Sequence, residues 1–237
     1  MSGGEHQRQT TFVLARLEKR ALLWLAARLP ERMMPDHLTL IGILGATMVG
    51  AGYLLSVRHE NWLLLAIAGL VVNWFGDSLD GTLARYRQIE RPRYGFYLDH
   101  LTDAYSTIMI GVGLGLSPYM LLAVGMAIVI AYLVLSINVY LETHVFGRFE
   151  AAYGALGPTE VRILLIVLNL AALLSIPVRF SVLGLELTLF DVVGLAIVAG
   201  MAVLLAQRVT RNLRVLAAAE PPGRKRKVDD GEAHPDR

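Results

Sequence analysis

The chain of 237 residues contains no cysteine. That excludes disulfide frameworks, thiolate zinc sites, cysteine nucleophiles and iron–sulfur ligation, so any metal must sit on oxygen or imidazole. Charge is scarce as well: Asp, Glu, Lys and Arg make up 18% of the chain, where soluble domains run near about 25%. The first ten residues are polar and lack the apolar core and small-residue cleavage site of a secretory signal peptide, so no N-terminal processing is expected. What is abundant is apolar: 55% of residues are hydrophobic, mean hydropathy is +0.52, and the apolar residues gather in runs of about 20, enough to cross a bilayer core. The composition is that of a polytopic membrane protein.

Residues 11–29 alternate Phe12, Leu14, Leu17, Leu22, Leu23, Trp24 and Leu25 with Arg16, Lys19, Arg20 and Arg28. This is the pattern of an amphipathic helix, lying in the membrane interface or packing on the membrane domain from the soluble side. Six spanning helices are expected at 37–57, 62–80, 97–116, 119–141, 161–176 and 189–208, an all-α integral membrane fold. Pro35, the Arg58-His59-Glu60 turn, Pro92, Ser117-Pro118 and Gly157-Pro158 separate them. The organisation expected is a cytoplasmic N-terminus with the amphipathic helix (1–36), a six-helix catalytic domain (37–214) and a disordered basic and acidic tail (215–237). With six spans, every Lys and Arg except Arg58 and Arg179 falls on one side. The positive-inside rule puts that side, with both termini and the 2–3 and 4–5 connections, in the cytoplasm.

The stretch from Asn73 to Asp103 carries the chemistry. It holds Asp77 and Asp80, three apart, and Asp99 and Asp103, four apart, at the same end of two consecutive spans. On helices each pair shares a face. An Asp near mid-membrane costs about 3 kcal/mol on insertion scales, so four carboxylates call for neutralisation. Arg85, Arg87, Arg91 and Arg93 are the nearest cations in sequence. Four converging carboxylates are better matched by hard divalent ions, Mg²⁺, Mn²⁺ or Ca²⁺, and two pairs suit two ions about 3.5–4 Å apart, as in phosphoryl transfer. Gly81 is costly in a helix interior; with Gly76, Thr82 and Ala84 it leaves a small-residue surface for a flat ligand or a pyrophosphate, or for helix packing. Arg85 is suited to a phosphate by its planar, permanently charged fork.

Taken together, Asp77-x2-Asp80-Gly81-x2-Ala84-Arg85-x9-Gly95-x3-Asp99-x3-Asp103 resembles the complete signature of the CDP-alcohol phosphatidyltransferase family. The resemblance implies that an alcohol displaces CMP from a CDP-linked donor in phospholipid synthesis. Carried over by position, Asp77, Asp80, Asp99 and Asp103 would hold Mg²⁺ or Mn²⁺, two ions in all, and Asp103 would also be the base. Asp77, Gly81, Ala84 and Arg85 would bind the CDP moiety, and Gly95 would let a neighbouring helix pack tightly. The implied partners are a CDP-linked donor, foremost CDP-diacylglycerol, an alcohol acceptor, membrane lipids and a second copy of the chain in a homodimer, with no nucleic acid.

The 4–5 connection faces the same side; the resemblance implies that Arg148 and Arg162 there would meet the phosphate of a phosphorylated acceptor, although Arg162 could equally snorkel to lipid head groups. Gly157-Pro158-Thr159-Glu160 is also similar to a segment of choline and ethanolamine phosphotransferases, whose acceptor is diacylglycerol; Glu160 could equally begin a helix. Asn138 and Glu142 could face the cavity or make a helix–helix hydrogen bond, and Asp191 reads as a start-of-helix acid. Competing functions are an intramembrane prenyltransferase, which also pairs Asp motifs with Mg²⁺, and a cation-coupled transporter. The Gly81-x2-Ala84-Arg85 continuation speaks against the first, and the lack of an internal repeat against the second.

Overall fold

The computed structural model of the protein describes residues 15–147, 157–174, 179–182 and 184–221. Among them are helices α1 (Ala15–Ala26), α2 (Pro35–Leu55), α3 (Leu63–Tyr86), α4 (Pro92–Gly115), α5 (Leu122–Phe146), α6 (Pro158–Leu173) and α7 (Leu189–Ala219). Their starts follow from local chemistry. Pro35, Pro92 and Pro158 open α2, α4 and α6, where a missing N–H costs no intrahelical bond. The Gly157 N–H donates to Glu160 Oε2 at 3.1 Å. Thr188 Oγ1 accepts from the Asp191 N–H at 3.1 Å while Asp191 Oδ2 accepts from the Thr188 N–H at 2.9 Å, a reciprocal cap that makes Asp191 a start-of-helix acid as read. Gly147, with φ of +64°, ends α5 in the left-handed region.

Several helices overrun the expected spans. α3 continues to Tyr86 instead of stopping near 80, α4 starts at Pro92 instead of 97, and α7 runs on to Ala219. The expected ends lay where apolar character fades, but backbone hydrogen bonding is indifferent to side-chain polarity and stops only at caps and prolines. The whole motif from Asp77 to Arg85 is therefore helical. Among the described residues, α2, α3 with its entry turn, α5 and α7 are long and apolar enough to cross a membrane. The fold is that of a helical integral membrane protein. α4, although 24 residues long, carries Arg93, Asp99 and Asp103, and α6 has only 16 residues. An antiparallel hairpin joins α6 to α7, β1 (Arg179–Val182) and β2 (Leu185–Thr188), pairing Phe180 with Leu187 and Ser181 with Glu186. The all-helical expectation omitted it, although Phe-Ser-Val and Leu-Glu-Leu alternate with a period of two across Gly184, whose φ is +80°.

α2 and α3 touch backbone to backbone. A Cβ on Gly45 would lie 2.3 Å from the Asn73 nitrogen, and one on Gly76 would lie 2.2 Å from the Gly42 nitrogen. Only glycine permits this approach. Gly76 is thus spent on helix packing, the second of the two readings of the small-residue surface. α1 packs Leu22 and Ala26 against Leu38, Leu79 and Leu83 of α2 and α3, and leaves Leu17 and Trp24 exposed with Arg16, Lys19, Arg20 and Arg28. A second core joins α2, α3, α4, α5, α6 and α7 through Val49, Tyr53, Leu70, Leu114, Val124, Leu168 and Phe190.

Candidate functional site

The acidic residues meet where α3 leaves the tight α2 seam and α4 begins. Asp77 of α3 and Asp99 and Asp103 of α4 each offer a carboxylate oxygen, and these oxygens lie within 4.8 Å of one another. Two helices with carboxylates three or four apart can produce this convergence only by crossing with those faces opposed. Asp80 is turned aside. Its Oδ2 accepts from Thr39 Oγ1 at 2.6 Å and its Oδ1 accepts from the N–H of Gly81 at 2.5 Å. It lines, with Asp77, Thr39, Asn73, Thr102 and Ser106, a small recess between α2, α3 and α4. The four expected carboxylates therefore appear as a cluster of three with a fourth held beside it.

The cation that reaches this cluster comes from α6. Arg162, 9% exposed, donates through Nη2 to Asp77 Oδ2 at 2.6 Å and through Nε to Asn73 Oδ1 at 2.9 Å. Asn73 is itself buried and fixed, donating to the Gly42 carbonyl at 2.9 Å and to Ser106 Oγ at 3.3 Å. Arg162 thus snorkels to no head group. Of the arginines nearest in sequence, Arg87 donates to the carbonyls of Leu29, Pro30, Glu31 and Met33, stapling the α1–α2 connection to the end of α3. Arg91 pairs with Asp36 and lies over the Tyr94 ring, 3.9 Å from its centroid.

Gly81 and Arg85 stand together: a Cβ on Gly81 would lie 3.3 Å from Arg85 Nη1. The glycine leaves room for the guanidinium to fold along its own helix, where Nη2 also donates to Thr82 Oγ1 at 3.4 Å. Ala84 lies on the same helix next to Arg85, half-buried. Gly95 is exposed, and a Cβ there would meet nothing within 4 Å. Among the described residues no helix stands opposite Gly95. Arg148 lies outside the described residues.

Several participants escaped the sequence reading. Asn73 and Thr39 orient Asp77's partner and Asp80; a polar residue within an apolar span was the available signal. His100 packs its ring against Phe96 and Tyr140, with centroids 4.1 and 5.0 Å apart, tying α4 to α5 beside Asp99 and Asp103. Asn138 and Glu142 turn out to face α7: Glu142 accepts from Asn138 at 2.7 Å, from Asn212 at 2.6 Å and from Arg208 at 2.6 Å.

All-oxygen donors of one sign, gathered at a helix crossing, fit a hard divalent cation. Arg85, folded beside Gly81, offers the planar donor fork that suits a phosphate. A sequence model of the CDP-alcohol phosphatidyltransferase family matches residues 32–219, and the chain belongs to that family. Its reaction class is the transfer of a phosphatidyl group from a CDP-linked donor to an alcohol within a membrane.

Proposed function

We propose that this protein is a six-span, divalent-metal-dependent enzyme of phospholipid synthesis, using CDP-diacylglycerol as donor and a phosphorylated small alcohol as acceptor, with its site and both termini in the cytoplasm. The observation that carries the reading is the meeting of Asp77, Asp99 and Asp103 with the buried Arg162 on Asp77. On this reading α4 and α6 also cross the membrane. They do so within the bundle, where polar side chains face partners and not lipid. The positive-inside distribution of Lys and Arg supports the orientation.

Asp77, Asp99 and Asp103, with Asp80 from the recess beside them, would hold Mg²⁺ or Mn²⁺, two ions in the full site. When bound, the ions neutralise the diphosphate oxygens and the charge that develops on departing CMP. Arg85 takes the diphosphate at Gly81 and Ala84. A carboxylate oxygen of Asp103 accepts the proton of the acceptor hydroxyl. The acceptor oxygen then bonds to the phosphorus that carries diacylglycerol, and the bond from that phosphorus to the CMP oxygen breaks. CMP leaves with the electron pair. Arg148 and Arg162 are assigned to the acceptor phosphate; a guanidinium has donors to spare beyond those given to Asn73 and Asp77. The family resemblance extends the reading to a homodimer.

Use of CDP-choline or CDP-ethanolamine with diacylglycerol is the second reading. It rested on Gly157-Pro158-Thr159-Glu160, and those side chains have other employment: Glu160 caps the Gly157 N–H and Thr159 donates to Glu18. The test is CMP release by purified protein with Mn²⁺ or Mg²⁺, first with CDP-diacylglycerol and a panel of free and phosphorylated alcohols, then with CDP-choline or CDP-ethanolamine plus diacylglycerol. Release dependent on CDP-diacylglycerol and a phosphorylated alcohol is expected. Release only with the second pair would replace the reading, and no release with any donor would return the prenyl-transfer and transport alternatives.

A further inference from the structure

Glu18 is the one acidic residue of α1, set among Arg16, Lys19 and Arg20. Its carboxylate points inward and not to those neighbours. Oε1 accepts from the Trp74 indole N–H at 2.9 Å, from Thr159 Oγ1 at 2.5 Å and from Ser78 Oγ at 3.4 Å. The donors lie on two helices, α3 and α6, that are far apart in sequence.

Trp74 and Ser78 occupy the row of α3 next to Asn73 and Asp77, and both rows engage α6. Thr159 and Arg162 are three apart in the first turns of α6, hence on one side of it. So α6 is held to α3 by two polar ties: Thr159 through Glu18 to Trp74 and Ser78, and Arg162 to Asn73 and Asp77. The first tie runs through α1. Short helices such as α6, with 16 residues, have few side chains with which to fix their own depth and rotation, so a charge-assisted hydrogen bond in the first turn has leverage.

We propose that Glu18 is a positioning residue: by gripping Thr159 against Trp74 and Ser78, the N-terminal helix sets the first turn of α6 and so holds the guanidinium of Arg162 on Asp77. α1 is then part of how the site is built. Its seat on Leu38, Leu79 and Leu83 transmits the attitude of a helix whose outer face carries Leu17, Trp24 and three basic residues, Arg16, Lys19 and Arg20. This deepens the proposed function and rests on it for its kinetic consequence.

The test pairs kinetics with a distance. Losing a hydrogen bond to a charged group costs about tenfold in a binding constant; Glu18→Ala is therefore expected to raise the KM for the acceptor by about that factor, with kcat changed less than about threefold. Glu18→Gln, which keeps an acceptor oxygen, and Thr159→Ser, which keeps the donor, are expected to restore wild-type values; Thr159→Ala should resemble Glu18→Ala. In an Arg162→Ala background, Glu18→Ala should add nothing. Undiminished addition there, equal loss with both substrates, or failure of Glu18→Gln to rescue would show ordinary stabilisation and overturn the proposal. The cysteine-free chain also allows spin labels at Lys19→Cys on α1 and Ile163→Cys on α6. Their distance distribution should be narrow in the parent, broad with Glu18→Ala and narrow again with Glu18→Gln. A distribution indifferent to Glu18 overturns the positioning role even in an active enzyme. A responsive distribution in a protein that releases no CMP upholds it and overturns the functional reading instead.

Discussion

Two buried ion pairs sit in this helical bundle, and they differ in how completely they are closed. At the α5–α7 contact, Arg208 and Glu142 meet at 2.6 Å with side chains 10% and 8% exposed. Arg208 Nε adds a second bond at 3.1 Å, and Asn138 and Asn212 complete the carboxylate. Four hydrogen bonds reach Glu142, three on Oε1 and one on Oε2. At the α3–α6 contact, Arg162 and Asp77 also meet at 2.6 Å, with side chains 11% and 20% exposed. There one guanidinium faces a carboxylate that shares its space with Asp99 and Asp103. Besides that guanidinium, the His100 imidazole stands 3.7 Å from Asp99, and the Arg162–Asp77 pair is less enclosed than the Arg208–Glu142 pair. Desolvated charge is costly unless paired, so the first pair reads as architecture and the second as part of an all-oxygen cluster whose chemistry fits a hard divalent cation.

The comparison can be broken most decisively at Asp77. Asp77→Asn is expected to lower CMP release by about 10³-fold or more, since it removes both the cation ligand of the proposed function and Arg162's anchor; Mn²⁺ titration followed by electron paramagnetic resonance should show weakened binding in a folded protein. The opposite signature is expected at the closed pair. Arg208→Met alone strands Glu142 and should cost about 3 kcal/mol of stability, read as a lower thermal midpoint in detergent, with turnover per folded molecule retained. Adding Glu142→Leu should recover most of that loss. Gly76→Ala comes next: its Cβ would fall 2.2 Å from the Gly42 nitrogen, and overpacking there should cost about 2 kcal/mol in the same measurement. Arg162→Lys sharpens the contrast from the site's side. A lysine keeps the charge and loses the fork between Asn73 and Asp77, so the acceptor KM should rise by about tenfold with the donor KM unchanged. Gly95→Ala should be the mildest for folding, within about 0.5 kcal/mol, because nothing lies within 4 Å of the added methyl.

What the sequence disclosed and what it withheld divide along the range of the interactions. Asp77, Asp80, Asp99 and Asp103 are legible because helical periodicity converts spacings of three and four into a shared face, a local rule. The prolines opening α2, α4 and α6 and the Thr188–Asp191 cap are local in the same sense. The rotation of Asp80 toward Thr39 is not, because it depends on α2 crossing α3 at glycine distance. Nor could spacing reveal that Arg162 would reach Asp77 across 85 residues, or that Glu18 would meet Thr159 across 141. A hint of each existed: a lone acid in a basic helix, and an arginine one turn into an apolar one. Gly95 is legible as a motif position, whereas what packs opposite it is a long-range matter that spacing does not supply. Helix ends misled because α3 and α4 carry charge where they run on, and apolar length alone stops short of their caps.

The central claim is that the carboxylates gathered by α3 and α4 carry out a CMP-releasing transfer. It is tested most directly by following CMP release from CDP-diacylglycerol in the presence of Mn²⁺ and the active acceptor, comparing the parent protein with Asp103→Asn under conditions where both are folded and bind Mn²⁺. The account predicts acceptor-dependent release in the parent and a fall of about 10²- to 10⁴-fold in the variant, as loss of a general base requires. Equal rates in the two proteins would contradict it.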